Sequence, residues 1–455
     1  MNAPNIILIN CDDLGYGDLG CYGSTDHATP NLDRMAAEGM RFTDFCMASS
    51  VCSPSRAAML TGCFPNRIGF GRPAGRFVLF PGDCEGLNPS ETTIAKLLKT
   101  RGYATQIIGK WHCGDQPEFL PTNHGFDHYY GLPYSNDMGR QKVDDDRPPL
   151  PLMRDLDIIE QQPDQTSLTF RYVEESVRFI RENRDGPFFL YLAHMYVHLP
   201  IYAPDHFLRL ANGDPYAAGV AFVDWATGVL MHELQALGID DRTLLVFTSD
   251  NGSRAKAPSG GSNGPLRGAK AEIWEGGFRV PGIFRWPGVI PAGTVTDTPA
   301  MSIDLFRTFA ELAGAEIPAD LSPDGGNLCG VLAGEPDAAT GRNSFPYYRG
   351  NQLCAVRCGP WKLHLFSPQG EPMQELYDLS EDMGETNNIY AANPEIVEAL
   401  EGLAAAYRED LGDENTGTIG QNTRPAGRVE HAQPLTTYDP SAPYFVHEYD
   451  LDHRG

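Results

Sequence analysis

A cysteine and an arginine lie four residues apart within the stretch SSVCSPSRAAMLTG, residues 49–62. The AAML segment favours a helix, and Pro54 suits its first turn because a proline has no N–H to leave unpaired there. Cys52 would then lie near the helix N-terminus, where free N–H groups and the helix dipole favour negative charge. Arg56 follows one turn later and can return to the same side. The stretch indicates an anion held against Cys52, but a buried structural cysteine beside a surface arginine fits it equally well.

Acidic and amide side chains follow two apolar runs that predict buried strands. IILIN leads to Asp12 and Asp13, and LLVFTS leads to Asp250 and Asn251. In an open α/β sheet, ligands bind beyond the carboxyl ends of the strands. These residues offer only oxygen ligands, which suit Ca²⁺ or Mg²⁺ better than zinc. Calcium is favoured because three carboxylates and an amide form a nearly complete protein cage; a turn or helix cap is the alternative for a lone Asp-Asp pair.

Basic residues form a second group at predicted strand ends. TQII runs into Lys110 and His112, and His198 follows the strand FFLYLA. Lys270 lies in a glycine-rich segment after the Asp250 strand. Singly, each of these is more often a surface charge or a packed histidine. Together with Arg56 and beside a cation, they indicate recognition of a tetrahedral oxyanion such as sulfate or phosphate.

Composition narrows the class of protein. The 455 residues include 35 Lys and Arg against 60 Asp and Glu, a formal net charge of −25, which argues against a nucleic-acid partner. The N-terminus lacks a basic region before its short apolar run, and no run reaches the roughly 18 apolar residues of a membrane span. The sequence as written therefore predicts a cytoplasmic protein with no membrane partner; removal of a leader would make it periplasmic or secreted. The ten cysteines contain no C-x-x-C zinc pattern, so most are expected to be reduced and buried.

Apolar runs alternate with helical patterns, which predicts an α/β fold with a large, mostly parallel central sheet flanked by helices. Beyond Ser322 the pattern changes to short strands joined by turns, followed by the helix NPEIVEALEGLAAAYREDLG. We therefore expect a catalytic α/β domain over residues 1–322. A smaller α+β domain over 323–455 would contain an antiparallel sheet, one helix and a tail that wraps the surface.

Two motifs resemble the signatures of the type I sulfatases, a family of the alkaline phosphatase superfamily. CSPSRAAMLTG matches C-x-P-S-R with its A-x-x-x-T-G continuation, and GYATQIIGKWHCG matches the second signature, which ends in G-K-W-H. The resemblance extends over nearly the whole chain, through TSDNG, GAKAEIWEGG and the C-terminal AVRCGPWKLHLF. The spacing is most similar to the branch of arylsulfatase A and galactosamine-6-sulfatase.

The resemblance implies an alkaline-phosphatase-like sandwich and hydrolysis of a sulfate monoester to an alcohol and inorganic sulfate. Cys52 would be oxidised to formylglycine by a separate maturation enzyme. The implied Ca²⁺ ligands are Asp12, Asp13, Cys52, Asp250 and Asn251. The implied catalytic residues are Cys52, Arg56, Lys110, His112, His198 and Lys270. Ser135 would bind substrate, and His364 matches a C-terminal histidine that either reaches the substrate or packs beside the pocket.

Two other functions remain open from the sequence. One is a phosphonate monoester or phosphodiester hydrolase of the same superfamily, and the other is a non-catalytic binder of sulfated glycans. The family acts on aryl, carbohydrate and lipid sulfates through pockets shaped by variable loops. Residues 72–89 and 138–165 are the predicted pocket walls, and their aromatic and polar side chains would suit a sugar.

Overall fold

Strands and helices alternate along most of the chain in the computed structural model, which describes residues 3–142, 145–255, 260–439, 441 and 449. The strands are β1 (Asn5–Cys11), β2 (Met40–Phe42), β3 (Phe45–Cys46), β4 (Glu85–Gly86), β5 (Ala104–Gly109), β6 (His128–Gly131), β7 (Pro151–Arg154), β8 (Asp157–Gln161), β9 (Phe188–Ala193), β10 (Thr243–Ser249), β11 (Gly282–Arg285), β12 (Thr294–Thr296), β13 (Ala300–Met301), β14 (Ser344–Arg349), β15 (Gln352–Cys358), β16 (Trp361–Phe366), β17 (Pro372–Asp378) and β18 (Gly427–Arg428). The helices are α1 (Pro30–Ala37), α2 (Cys52–Thr61), α3 (Ile94–Lys99), α4 (Gln165–Glu182), α5 (Asp205–Leu210), α6 (Pro215–Ala236), α7 (Glu275–Phe278), α8 (Asp304–Ala313), α9 (Cys329–Leu332) and α10 (Pro394–Leu411).

A ten-stranded sheet in the order β12-β2-β11-β10-β1-β9-β5-β6-β7-β8 forms the frame of the large part. Its five central strands, from β10 to β6, are mutually parallel, and antiparallel pairs appear only toward the two edges. The central strands are almost entirely buried, as expected for parallel strands covered by helices on both faces. The predicted α/β class with a mostly parallel central sheet is confirmed.

Alternate residues of β1 pack into two different apolar layers. Ile6 and Leu8 belong to the layer that contains α3 and α8, whereas Ile7 and Ile9 belong to the layer that contains α4 and α6. This is the two-residue period of a strand with helices on both faces. The sheet is therefore fixed from both sides, and its carboxyl edge is a rigid place to mount polar side chains.

The helix α2 starts at Cys52 itself, after an extended Val51, and all ten of its residues are buried. Pro54 is its third residue, where the missing N–H would have no helical partner in any case. The helix ends at Gly62, whose φ of 68° is the left-handed conformation that favours glycine. The start of α2 thus places Cys52 among free backbone N–H groups.

The C-terminal part contains the four-stranded antiparallel sheet β14-β15-β16-β17, with α10 packed against β15. Tyr347, Leu353 and Leu400 share one apolar cluster with Phe278 and Ile303 of the large part. The predicted small sheet with one helix is confirmed, while the boundary at 322/323 stays a prediction. Residues 440, 442–448 and 450–455 of the predicted second domain lie outside the described residues.

No helix among the described residues is long and apolar enough to cross a membrane. All ten cysteines fall within the described residues and are unpaired, six of them buried.

Candidate active site

The ends of β1 and β10 bring the predicted oxygen ligands together. The two strands are parallel neighbours, with Cys11 opposite Ser249, so the residues that follow them emerge at the same edge. The backbone N–H of Asp13 donates to Asp250 Oδ1 at 3.3 Å, and Asn251 Nδ2 donates to Asp13 Oδ1 at 2.7 Å. Asp12, Asp250 and Asn251 have no exposed surface, and Asp13 is 3% exposed. Three carboxylates and one amide are therefore concentrated in one buried place.

Cys52 reaches this edge from the other direction, at the first position of α2. Its Sγ lies 3.5 Å from Asp12 Oδ1, and the residue is 2% exposed. Burial and the Asp12 carboxylate raise the pKa of the Cys52 thiol far above its usual range. An unmodified thiol is therefore protonated here and a weak nucleophile.

Arg56 is a fully buried cross-link rather than a surface charge. Its Nε donates to Asp250 Oδ2 at 2.8 Å, and its Nη1 donates to the Lys110 carbonyl at 2.9 Å. Its Nη2 lies 3.6 Å from Asp12 Oδ2 and makes no hydrogen bond to any residue that the structure describes. One guanidinium therefore fixes the strand ends that carry Asp12, Asp250 and Lys110 relative to each other.

The chemistry of the donor set fits a hard divalent cation. Ligand atoms of Asp12, Asp13, Cys52 and His198 lie within 4.8 Å of one another. Asn251 Oδ1 is buried and has no hydrogen-bond partner within the described part of the chain. Burial and the Asp12 carboxylate raise the pKa of Asp250 to about 6. A divalent cation would relieve this crowding of carboxylates and would give Asn251 Oδ1 a partner.

Two lysines face the carboxylates, Lys110 fully buried and Lys270 half-buried. Lys110 Nζ contacts Asp12 Oδ2 and lies 3.4 Å from Ser135 Oγ. Lys270 Nζ lies 2.8 Å from Asp13 Oδ1 and 2.9 Å from Asp13 Oδ2. Burial acts to lower the pKa of each lysine, but the carboxylates outweigh it and hold both values above the usual one. Both lysines are therefore charged and able to bind an anion beside Cys52.

His112 and His198 are buried and neutral. Burial, with Lys110 next, lowers the pKa of His112 well below its usual value, and burial with Lys270 lowers that of His198. His112 Nε2 lies 3.0 Å from the Leu79 carbonyl, which can only accept, so Nε2 carries the proton. Its Nδ1 has no hydrogen-bond partner among the described residues and is left as a base. His198 Nε2 lies 3.9 Å from Asp13 Oδ2.

Sequence comparison agrees with this geometry. A family model described as Sulfatase matches residues 4–315. The chain belongs to the sulfatase family. A second model, described as N-sulphoglucosamine sulphohydrolase, C-terminal, matches residues 269–409 of this sulfatase. The family inferred from the two motifs is therefore confirmed.

Relatives of known activity are similar over most of the chain. Arylsulfatase A of Homo sapiens is 39% identical over 450 residues, which cover 88% of this chain and 87% of that protein. N-acetylgalactosamine-6-sulfatase of Rattus norvegicus is 42% identical over 386 residues, which cover 80% of this chain and 72% of that protein. This similarity confirms the prediction that the chain is a hydrolase of the sulfatase class.

Solved structures share the fold. PsFucS1 sulfatase from Pseudoalteromonas sp. superposes with a TM-score of 0.79 at 28% identity, covering 92% of each chain. Ps i-CgsB, solved in complex with k-i-k-neocarrahexaose, superposes with a TM-score of 0.78 at 32% identity, covering 89% of this chain and 93% of that one. The predicted sulfatase-like sandwich is confirmed by both.

The sulfatase brings all but one of the predicted site residues into a single cluster. Ser135 lies between Lys110 and His198, with its Oγ 3.4 Å from both Lys110 Nζ and His198 Nδ1. His364 lies elsewhere: its Nε2 is 2.8 Å from Glu385 Oε1, and its ring lies 4.2 Å from that of Trp274. None of its described contacts reaches the cluster. Its described contacts are those of a packed histidine, and a role of His364 in substrate binding stays a prediction.

One element of the site gives no sequence signal of its own. The backbone of Leu79 accepts from His112 Nε2 and donates to Ser53 Oγ at 3.1 Å. The Leu79 backbone thereby connects residues 72–89, one of the two predicted pocket walls, to the helix α2 that carries Cys52. A backbone carbonyl is present at every position, so residue type could not reveal this contact. Residues 143–144 of the other predicted wall, 138–165, lie outside the described residues.

Proposed function

We propose that the protein hydrolyses sulfate monoesters, using formylglycine derived from Cys52 and a bound Ca²⁺, with a sulfated carbohydrate as the favoured class of substrate. The observation that carries this proposal is the position of Cys52 Sγ, 3.5 Å from Asp12 Oδ1 and inside the group of potential metal ligands. The cation would be held by the residue at position 52 together with Asp12, Asp13, Asp250 and Asn251. It would supply Lewis-acid stabilisation of negative charge on oxygen.

The choice of an aldehyde over a thiol follows from the environment of Cys52. Its thiol is buried and protonated, and a sulfur or single hydroxyl nucleophile would need a separately placed water to release sulfate. A hydrated aldehyde carries two hydroxyls on one carbon. One loses its proton to a base of the site and bonds to the sulfur as the S–O bond to the leaving alcohol breaks; deprotonation of the other then restores the carbonyl as the C–O bond to sulfate breaks. A maturation enzyme would carry out the oxidation of the cysteine.

The basic residues bind the sulfate group, transfer protons and position the carboxylates. Lys110 and Lys270 bind the sulfate oxygens from two sides, as preorganised charges that need no rearrangement during the reaction. His112 Nδ1, which has no hydrogen-bond partner in the ranges that the structure describes, accepts the proton of the second hydroxyl. His198, held between Ser135 and Asp13, delivers a proton to the leaving alcohol once an anionic substrate has raised its basicity. Arg56 keeps the carboxylates in place.

The preference for a sulfated sugar rests on relatives. N-acetylgalactosamine-6-sulfatase is similar over 80% of this chain, and Ps i-CgsB was solved with a bound neocarrahexaose. Turnover of sulfated sugars, an aryl sulfate, an aryl phosphonate and a phosphodiester, scored by product release, separates this function from that of a phosphonate or phosphodiester hydrolase. Tight retention of a sulfated glycan without sulfate release would instead identify a binding protein.

The modification of Cys52 has a direct test with an internal control. Trypsin should release residues 42–56, FTDFCMASSVCSPSR, which contain both Cys46 and Cys52. In active enzyme, mass spectrometry should find this peptide with one alkylated cysteine and an aldehyde at position 52. Cys52→Ala should abolish sulfate release and leave the fold intact. Full activity in a sample with both cysteines alkylated would contradict the mechanism.

A further inference from the structure

Three buried charged residues connect the C-terminal sheet to the loop that carries Lys270. Lys362 Nζ lies 3.0 Å from Glu275 Oε1 and 2.9 Å from Glu385 Oε1. It also donates to the Ile273 carbonyl at 3.1 Å. Lys362, Glu275 and Glu385 have no exposed surface. Lys362 on β16 is therefore the centre of a buried network that reaches across the two parts of the protein.

The same network fixes the loop on both sides of Lys270. After Lys270, the backbone N–H of Glu275 donates to Glu385 Oε2 at 2.7 Å. Before it, Arg267 Nη1 donates to the Glu385 carbonyl at 2.9 Å. Between these anchors, the backbone N–H of Lys270 donates to the Ser253 carbonyl at 3.0 Å. The position of the Lys270 side chain on Asp13 therefore depends on contacts made by Lys362 and Glu385.

The charges around this network balance without an ion. Among the described residues, Asp44, Glu275 and Glu385 are matched by three buried cationic side chains, namely those of Arg279, Arg357 and Lys362. Asp44, Cys46 and Glu275 also lie close enough to hold a metal. The cationic side chains that already pair with Asp44 and Glu275 make a cation there unfavourable. The network is therefore a set of ion pairs that holds the two parts together, and not a second metal site.

Stability alone does not explain a buried ionic network. Burying charges costs solvation, and well-packed apolar residues often hold two elements together equally well. Apolar residues could not, however, bond to the Ile273 carbonyl or the Glu275 N–H, which would be left unsatisfied in the interior. The charged groups thus provide directional control of the loop backbone, which apolar packing cannot.

We propose that Lys362 and Glu385 are positioning residues for the reaction, which hold residues 267–275 so that Lys270 remains on Asp13 and beside Cys52. This inference rests on the proposed function for its kinetic consequence. It assigns the C-terminal sheet a part in catalysis through Lys270.

The kinetic test is a double-mutant comparison. Lys362→Met should lower kcat/KM for an aryl sulfate by about 10- to 100-fold, because a shift of the Lys270 ammonium by up to about 1 Å costs that much in rate. In a Lys270→Ala background the same change should have little further effect, because its influence passes through Lys270. Equal losses in both backgrounds would overturn the proposal.

A matched control separates this effect from general weakening of the interface. Arg342 Nη2 lies 2.8 Å from Asp304 Oδ2, an ion pair between the C-terminal part and the large part in which Asp304 is buried and Arg342 is half-buried. Arg342 makes no described contact with residues 267–275. Arg342→Gln should therefore keep the wild-type kcat/KM, and a loss equal to that of Lys362→Met would contradict the proposal.

Hydrogen exchange tests the positioning itself without depending on activity. The amides of Lys270 and Ala271 should exchange faster in Lys362→Met than in wild type or in Arg342→Gln. Glu385→Gln keeps the shape of the side chain but puts a neutral amide where the carboxylate pairs with Lys362 Nζ, so it removes that ion pair. It should show the same change if Lys362→Met does not fold. Unchanged exchange in a folded variant overturns the inference. A wild type that fails to release sulfate would refute the proposed function, while the exchange data would still decide the positioning.

Discussion

At the scale of single residues, Arg56 shows how one side chain can decide between two interpretations of a motif. A surface arginine beside a structural cysteine would be exposed and unconnected. Instead its buried guanidinium binds Asp250 and the Lys110 carbonyl and leaves Nη2 facing Asp12. A lysine could not make these contacts at once, because its ammonium is a single point charge. Arg56 thus organises the carboxylates before any ligand binds.

His198 permits a prediction about proton transfer at the same scale. Its Nδ1 is occupied by the Leu199 carbonyl and Ser135, so only Nε2 can serve the leaving oxygen. His198→Ala should lower kcat/KM far more for a sugar sulfate than for 4-nitrophenyl sulfate, since only the poor leaving group needs a proton in the transition state. Lys270→Ala, which removes a sulfate-binding charge, should lower both by similar factors. Equal factors for His198→Ala with the two substrates would reject its role as the acid.

At the scale of elements, the site depends on a loop as well as on strand ends. Asp115 Oδ2 accepts from the Gly82 N–H at 2.7 Å and anchors the segment whose Leu79 contacts both His112 and Ser53. Asp115 is 3% exposed, and burial raises its pKa to about 6. Its ionised form is therefore less favourable in the folded protein than in the unfolded chain.

This shift predicts a pH-dependent gain in stability for Asp115→Asn. Because the folded pKa lies above the unfolded value of about 4, the folded state binds more protons between about pH 4 and 6 and loses stability as pH rises through that window. Asp115→Asn should therefore stabilise the protein by on the order of 1–2 kcal/mol at pH 7.5 and by nothing near pH 4, as measured by thermal unfolding. Asp241→Asn, at an exposed position, is the control. A gain independent of pH would contradict the assignment.

The sequence predicted those parts of the site that follow from the edge of a parallel sheet. Asp12 and Asp250 lie 238 positions apart in the sequence, yet β1 and β10 had to deliver them to one edge once both were recognised as parallel strands. The network of Lys362 was not predictable in this way. Lys362 and His364 lie two residues apart on β16 and therefore share one face of the strand. Polar residues at this spacing usually indicate a face exposed to solvent. This face is buried because the C-terminal sheet packs against the large part, where Lys362 contacts the Ile273 carbonyl.

At the scale of the whole molecule, the local charge of the site opposes that of the protein. The chain carries a net charge of −25, whereas Asp12, Asp13 and Asp250 are balanced one for one by the cationic groups Arg56, Lys110 and Lys270. A bound divalent cation would make this neutral group net positive. The anionic ester would then be attracted to a site whose local charge is opposite in sign to the net charge of the protein, so cation binding and substrate binding should be coupled.

Removal of the cation is therefore expected to affect both stability and substrate binding. Addition of Ca²⁺ to chelator-treated enzyme should raise the free energy of unfolding by about 2.7 kcal/mol at a free concentration one hundred times Kd, because only the folded state assembles the ligands. The same addition should restore sulfate release and tighten binding of inorganic sulfate. Asp250→Asn, which keeps the size of the side chain and a partner for Arg56, should lose most of the Ca²⁺-dependent stabilisation. A thermal midpoint that is identical with chelator and with saturating Ca²⁺ would refute the proposed calcium site, since binding to the folded state alone must shift it.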